Sequence, residues 1–229
     1  MTSAVEGAGP EEADAQGGAL TGVMRALAWV PRLVGLHLGW IALVLAGGIV
    51  LGIGPAGVAL VAELEERSDR PPQLQATAAR VLGRFRRELV PASLAVGPFL
   101  VIGTAAALNL VLAGVGLAPG WFVPYGLGPA AVLLLWAIPA FHHAIVLRVL
   151  RPEVSIPDLW RAAAAAPVLL PVASIGWWVT IGSVLVVCAV IVPVGVLMGS
   201  GLVVAATWAL LLRAWQGRIE EAAAARAAR

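Results

Sequence analysis

An uncharged run in the middle of the chain decides the fold: LVPASLAVGPFLVIGTAAALNLVLAGVGLAPGWFVPYGLGPAAVLLLWAIPAFHHAIVL, residues 89–147, which holds 59 residues. One helix needs about 20 apolar residues to cross about 30 Å of hydrocarbon, so this run accommodates two spans and the turn between them. Two further uncharged runs flank it, one of 30 residues at 33–62 and one of 51 residues at 162–212. Their lengths predict one span and two spans, and therefore five transmembrane helices in all.

The composition agrees with an integral membrane protein and excludes a soluble globular enzyme. The chain has 229 residues, of which 60% are hydrophobic and 12% are charged, whereas soluble domains carry about 25% charged residues. All 15 basic residues are arginine, and they fall mostly in short connectors, where they act as topology signals rather than as a nucleic-acid surface. We therefore predict an all-α, polytopic membrane helix bundle in contact with the lipid bilayer.

We place the five spans within a membrane domain of residues 23–215, at 33–52, 89–112, 127–150, 167–189 and 194–213. Pro55 lies in the string GIGPAG and lacks a backbone N–H, so we predict a helix break there, with a short helix running on to the membrane surface. Residues 1–22 are predicted to be a disordered acidic tail, and Met24 is a second candidate start. Residues 216–229 are predicted to form a cytoplasmic C-terminal tail.

The arginines also predict an orientation. Thirteen of them follow the first, third and fifth spans, which lie on one side of the membrane in a five-span chain, whereas Arg25 and Arg32 precede the first span. The positive-inside rule then places the N-terminus outside and the C-terminus in the cytoplasm, with the protein in the cytoplasmic membrane.

Two connectors are predicted to be amphipathic cytoplasmic helices. The first, PPQLQATAARVLGRFRREL from Pro71, has apolar residues at helical spacing and arginines on another face, which is typical of a helix lying in the interface beside anionic lipid. The second, SIPDLWRAAAAAP from Ser155, begins with Ser155 and Asp158 as capping residues. The candidate partner- or lipid-docking residues are Arg80, Arg84, Arg86 and Arg87.

Four polar side chains inside the spans are candidate intramembrane contacts: His37, Asn109, His142 and His143. Neighbouring helical residues point about 100° apart, so His142 and His143 are not expected to share a ligand. His37 should lie at the opposite depth, so the three histidines are not expected to form one metal site. Two interpretations remain open, namely hydrogen bonds between packed helices and contacts with a proton or substrate.

The remaining motifs indicate packing rather than chemistry. Glycines at four-residue spacing predict close helix contacts, at Gly35/Gly39, Gly48/Gly52 and Gly195/Gly199. No Asp or Glu falls inside a predicted span, and Ser93, Ser174, Ser183 and Ser200 lack a GxSxG motif or an evident Asp or His partner. We therefore expect no catalytic, cofactor-binding or metal-binding residues, and we expect the protein not to be an enzyme.

The segment from Met24 to Arg87 resembles the N-terminal part of the YesL-like family of bacterial multi-pass membrane proteins. The matching features are MRALAWVPRLVGLHLGWIALVLAG, the IGPAGVAL stretch from Ile53 and the basic LGRFRREL helix. His37 stands where that family often has Asn, Gly57 stands where it often has Thr, and the basic helix lacks the usual Trp. The resemblance implies about five spans and no established activity. Family members are often encoded beside sugar-uptake ABC transporters and polysaccharide-degrading enzymes.

Two classes of function follow. The first is a non-enzymatic accessory or regulatory component of solute uptake, for carbohydrate on the strength of the resemblance, with ABC transporter permease subunits as partners. The alternative is a small homo-oligomeric transporter or channel, with helix breaks at Pro55 and at the Pro167/Pro171 pair near its binding site.

Overall fold

The computed structural model describes residues 10–66 and 74–228, where all regular secondary structure is helical. A π-helical turn, Thr207–Leu212, joins α7 to α8. The helices are α1 (Pro10–Ala46), α2 (Val50–Glu66), α3 (Leu74–Gly114), α4 (Phe122–Leu150), α5 (Ile156–Leu169), α6 (Pro171–Val190), α7 (Val192–Ala206) and α8 (Arg213–Ala227). This architecture confirms the predicted all-α bundle.

Five stretches of helix are long and apolar enough to cross a membrane, as the sequence predicted. They are Leu27–Ala46, Thr77–Gly114, Phe122–Leu150, Pro171–Val190 and Val192–Ala227. Their outer faces carry large exposed apolar side chains, such as Val101 at 68% and Val172 at 85% exposure. Such a surface is stable in contact with lipid rather than with water.

The predicted acidic tail differs in part from the structure. Residues 1–9 lie outside the described residues, but residues 10–22 form the first turns of α1 rather than a disordered segment. Pro10 stands at the first helical position, where its missing N–H would have no intrahelical partner. The predicted C-terminal tail is helical to Ala227, as α8.

The chain reverses between α1 and α2, and the predicted helix break at Pro55 is wrong. The turn lies at Gly47–Ile49, where Gly48 and Ile49 adopt positive φ angles of 71° and 66°. Pro55 lies inside α2, and the small residues around it serve close packing. A Cβ at Gly54 would lie 2.7 Å from Val96 of α3, and one at Gly57 would lie 2.7 Å from Ile145 of α4.

Helix α2 runs back to the end of the bundle at which the apolar part of α1 begins. Near its C-terminus, Glu65 accepts a 2.8 Å hydrogen bond from the indole N–H of Trp208. The ring of Trp208 lies 6.3 Å from that of Trp29 in α1. At 1.5 Å per residue the 17 residues of α2 span about 26 Å, and the helix is buried almost throughout from Gly52 to Leu64. It is the central helix of the bundle and not a segment on the membrane surface.

The course of α2 brings arginines from both ends of the chain to one end of the bundle. Because α2 returns, Arg32 lies at the same end of the bundle as Arg80, Arg148 and Arg213, and we call this the arginine-rich end. The start of the apolar part of α1 and the start of α8 both lie there. The five long apolar helices agree with the five predicted spans, whereas α2, which was predicted as a surface segment, runs back along the bundle.

The first amphipathic connector is not a separate helix lying in the interface. It is continuous with the second span as α3, whose 41 residues extend about 62 Å, roughly twice the hydrocarbon thickness. Its apolar face packs on α2, where Val81 and Phe85 are buried. The second connector forms α5, in which the Ser155 hydroxyl accepts the N–H of Asp158 as predicted.

One proline in each of three helices is compensated by a side chain from a neighbouring helix. A proline lacks the N–H that would bond the carbonyl four residues earlier, so Pro55, Pro98 and Pro139 free the carbonyls of Leu51, Leu94 and Leu135. Each freed carbonyl lies within hydrogen-bonding distance of one outside donor: Ser93 Oγ at 2.8 Å, Trp160 Nε1 at 3.0 Å and Trp178 Nε1 at 3.2 Å, respectively. The single proton of Ser93 is shared with the carbonyl of Leu89 on its own helix. These bonds satisfy backbone groups that the membrane could not, and they tie α2 to α3, α3 to α5 and α4 to α6.

The predicted glycine pairs do not act as pairs. Gly52 and Gly195 each lie against backbone, whereas nothing lies within 4 Å of a Cβ built on Gly35, Gly48 or Gly199. Helices α1 and α7 instead approach closely at Gly201, where a Cβ would collide with the carbonyl of Leu33.

Candidate functional site

The most buried polar cluster surrounds His143, which is fully shielded from solvent. The indole N–H of Trp215 donates to its Nδ1 at 3.0 Å, and its Nε2 lies 3.0 Å from Ser174 Oγ. Ser174 in turn donates to the carbonyl of Leu170 at 3.0 Å. The chain of hydrogen bonds connects α8, α4 and α6, and we call it the His143 network.

The partners of His143 determine its protonation. An indole nitrogen can only donate, so Nδ1 must be unprotonated and Nε2 must carry the single proton of a neutral imidazole. A second proton on Nδ1 would face the Trp215 N–H, and the network would lose that bond. The geometry therefore favours a neutral His143 that orders three helices.

The structure also corrects the expectation that Ser174 and Ser200 have no histidine partner. Ser174 contacts His143, and Ser200 Oγ lies 2.8 Å from His37 Nδ1. The Ser174 pair does not have the polarity of a nucleophilic dyad, because Nε2 donates its proton and cannot receive one from the serine. Ser174 itself donates to a backbone carbonyl, as a packing residue does.

His142 points to different neighbours from His143. Its Nδ1 lies 2.9 Å from the carbonyl of Ile138, and its ring centroid lies 4.3 Å from that of Trp177. It also lines a cavity of about 260 Å³ between α2, α3 and α4, whose other walls include Phe99 and Phe141 and are mostly apolar. The two adjacent histidines thus occupy separate surroundings.

The other two polar candidates are distant from this region. His37 bridges α1 to α7, where the Ser200 backbone N–H donates to its Nδ1 at 3.2 Å in addition to the hydroxyl contact. Asn109 donates to the carbonyl of Ala105 on its own helix, and its side chain is exposed rather than packed between helices. Within the described residues, no three His, Cys, Asp or Glu side chains are grouped as metal ligands would be.

The arginine-rich end is held together by glutamates that the sequence analysis did not single out. Arg80 donates to Glu63 at 3.0 Å, and Arg84 pairs with Glu66. Across the bundle Arg148 makes two bonds to Glu88, from Nε at 2.8 Å and from the terminal nitrogen at 3.3 Å. These pairs fasten the extension of α3 to α2 and to α4. A bidentate pair of this kind also fixes the relative orientation of the helices.

Glu65 performs the same role for α8. In addition to the bond from Trp208, it accepts one from Gln216 Nε2 at 2.7 Å. The signal in the sequence was the ELEE string at the end of α2, since several acids beside an apolar stretch need partners when the stretch is buried.

A second signal in the sequence was the nine tryptophans. Six of them donate an indole N–H to another helix: Trp136, Trp160, Trp177, Trp178, Trp208 and Trp215.

The four predicted docking arginines divide into two groups. Arg80 and Arg84 are held in ion pairs against α2. Arg86 and Arg87 are exposed, and no carboxylate of the described residues pairs with either. Arg87 also lines a cleft of about 370 Å³ between α2 and α3.

At α5, the hydrogen bond from Ser155 lowers the pKa of the Asp158 carboxyl, and Arg161 adds to the effect.

Comparison with known proteins gives one match. No curated protein and no solved structure matches the chain. Residues 33–110 match the model of a family described as "Protein of unknown function, DUF624". The match overlaps the segment that carries the YesL-like resemblance and covers most of the apolar part of α1, all of α2 and most of α3. Over that hairpin and its arginine-bearing helix, the chain is similar to a family of unknown function with membrane-like apolar helices.

Proposed function

We propose that this protein is a non-enzymatic accessory subunit that assists or regulates solute uptake across the cytoplasmic membrane, with a transporter permease as its partner. The observation that carries the proposal is the extension of α3 beyond its apolar span, which is fastened to α2 on one face and open on the other. Carbohydrate as the solute class rests on the resemblance to the YesL-like family.

The open face of α3 has the chemistry of a docking surface. Leu82, Arg86 and Val90 recur at four-residue spacing, and the leucine and valine are 39% and 65% exposed. We call these three residues the outer stripe. A charge beside apolar groups at the level of the lipid headgroups complements a membrane helix that carries an acidic residue at the same depth. The occupant we propose is such a helix of a permease subunit.

The polar groups within the spans support an accessory role rather than a carrier role. His143 and His37 are both engaged in hydrogen bonds that join helices, as described above. A substrate path needs polar groups that can release their partners and bind the solute. Here the side chains best suited to that task stabilise the bundle.

The orientation we propose has the arginine-rich end in the cytoplasm. The positive-inside rule counts arginines near the ends of the spans. Four such arginines lie at this end of the bundle: Arg32, Arg80, Arg148 and Arg213. The outer stripe then faces the side on which the ATP-hydrolysing subunits of an uptake system work.

Site-directed cross-linking in native membranes tests the proposal. A photo-reactive amino acid at Leu82 should link to a permease subunit, identified by mass spectrometry. The same amino acid at Val172, which is 85% exposed on α6, is the matched control and should not. Deletion of the gene should lower uptake of the solute carried by that permease, and Arg86→Glu should restore uptake less well than the wild-type gene does.

Two results would contradict the accessory role. The first is a Leu82 probe that links only to other copies of this chain, which would favour a homo-oligomeric transporter and make solute flux into liposomes the next assay. The second is a deletion strain in which uptake of every tested sugar and other solute is unchanged.

A further inference from the structure

The cleft of about 370 Å³ between α2 and the extension of α3 has a composition suited to an anion. It is lined by three arginines and two glutamates, with small and apolar residues between them: Arg80, Arg84, Arg87, Glu63, Glu66, Ala59, Val81 and Gly83. The formal charge of these eight residues is therefore +1. The three arginines lie within two turns of one helix.

The ion pairs position the arginines but occupy only some of their N–H donors. A guanidinium group has five N–H donors, and Arg80 and Arg84 each bond a glutamate through one terminal nitrogen, Nη2. The glutamates thus hold two guanidinium groups at the wall of the cleft while their Nε–H and Nη1–H donors remain. Arg87 adds a third cation that pairs with no carboxylate of the described residues.

The depth of the cleft identifies the source of the anion. Arg87 precedes the 59-residue uncharged run by two positions, so it lies where the hydrocarbon ends and the phosphate groups of lipids begin. Basic pockets between helices at this level are suited to phospholipid headgroups. We propose that the cleft binds one phosphate group, that of an anionic phospholipid, with Arg87 as its main contact and Arg84 beside it.

Two neighbouring arginines provide a matched test. Arg86→Gln and Arg87→Gln remove the same charge on the same turn, but only Arg87 lines the cleft. Gly83→Leu is a third variant that keeps every charge. Nothing lies within 4 Å of a Cβ at Gly83, so a leucine there would enter the cleft, and it would favour the helix rather than disturb it.

The assay is native mass spectrometry of the purified full chain in neutral detergent, titrated with phosphatidylglycerol and, as a neutral control, phosphatidylcholine. The wild type and Arg86→Gln should bind one phosphatidylglycerol with affinities within about twofold of each other. Arg87→Gln and Gly83→Leu should weaken binding about tenfold, as expected for one charge-assisted hydrogen bond. Circular dichroism of each variant checks that the helices are intact.

Three outcomes decide against parts of the proposal. Equal losses for Arg86→Gln and Arg87→Gln would show general attraction to a basic surface and overturn the site. Equal binding of the anionic and the neutral lipid would do the same. Displacement of phosphatidylglycerol by excess inorganic phosphate, with the same dependence on Arg87, would keep the phosphate site and overturn its assignment to a lipid. The assay needs no partner protein, so its result is independent of the proposed accessory role.

Discussion

The bond from Trp178 to the carbonyl of Leu135 offers a direct test of how the bundle tolerates its prolines. Pro139 is fully buried in α4 and deprives that carbonyl of its helical partner, and Trp178 Nε1 replaces the partner at 3.2 Å. Trp178→Phe keeps an aromatic ring but removes the donor. We expect the free energy of unfolding to fall by about 1–2 kcal/mol, since a carbonyl left without a donor in an apolar environment such as lipid costs about 1–3 kcal/mol.

A double-mutant cycle separates the hydrogen bond from the loss of ring contacts. In a Pro139→Ala background, residue 139 regains an N–H that can bond the carbonyl of Leu135. Trp178→Phe should then cost less by about 0.6–1.7 kcal/mol, the range measured for hydrogen bonds between membrane helices. The measurement is reversible unfolding in mixed micelles of increasing denaturing detergent, followed by far-ultraviolet circular dichroism.

Trp208→Phe is the matched control for this cycle, because Trp208 donates to Glu65 and not to a carbonyl freed by a proline. Its cost should be the same with Pro139 and with Ala at that position. The reasoning would be refuted if Trp178→Phe cost equally much in the two backgrounds. In that case the indole would contribute only packing, and the carbonyl of Leu135 would find another partner.

The remaining predictions concern topology and close packing. In a cysteine-free variant, single cysteines at Met24 and at Gly120 should be labelled by a membrane-impermeant reagent from opposite sides of the membrane. If both cysteines were labelled from the same side, the chain would cross the membrane an odd number of times in all, as the sequence alone predicted. Gly201→Ala should lower thermal stability in detergent by several degrees, because its Cβ collides with the Leu33 carbonyl, whereas Gly199→Ala faces open space and should not. Equal melting temperatures for the two alanine variants would contradict that packing.

The long apolar helices could be predicted from the sequence because the bilayer imposes a one-dimensional constraint. A helix that crosses hydrocarbon must be about 20 residues long and nearly free of charge, and both properties can be counted along the chain. The 59-residue uncharged run therefore specifies its two spans without knowledge of any neighbour. The helix cap at Ser155 was predictable for a similar reason, since its partner Asp158 lies three residues away.

The course of α2 could not be predicted in this way. Its 17 residues are too few to stand out as a span, and its Gly and Pro residues are as typical of a turn as of a tightly enclosed helix. What decides between them is contact with residues far along the chain: Glu65 with Trp208, which are 143 residues apart, and Gly57 with Ile145. The end of the bundle at which the apolar part of α1 begins depends on that one helix.

The polar contacts depended on tertiary structure for the same reason. His143 and Ser174 are 31 residues apart, and His37 and Ser200 are 163 apart, so no local pattern pairs them. The sequence by itself determined that the protein is an all-helical bundle with five long apolar helices and arginine-rich connectors. Only the tertiary structure decided which arginines are held by glutamates and which stay open, because helical spacing shows that two faces differ but not which neighbour covers each of them.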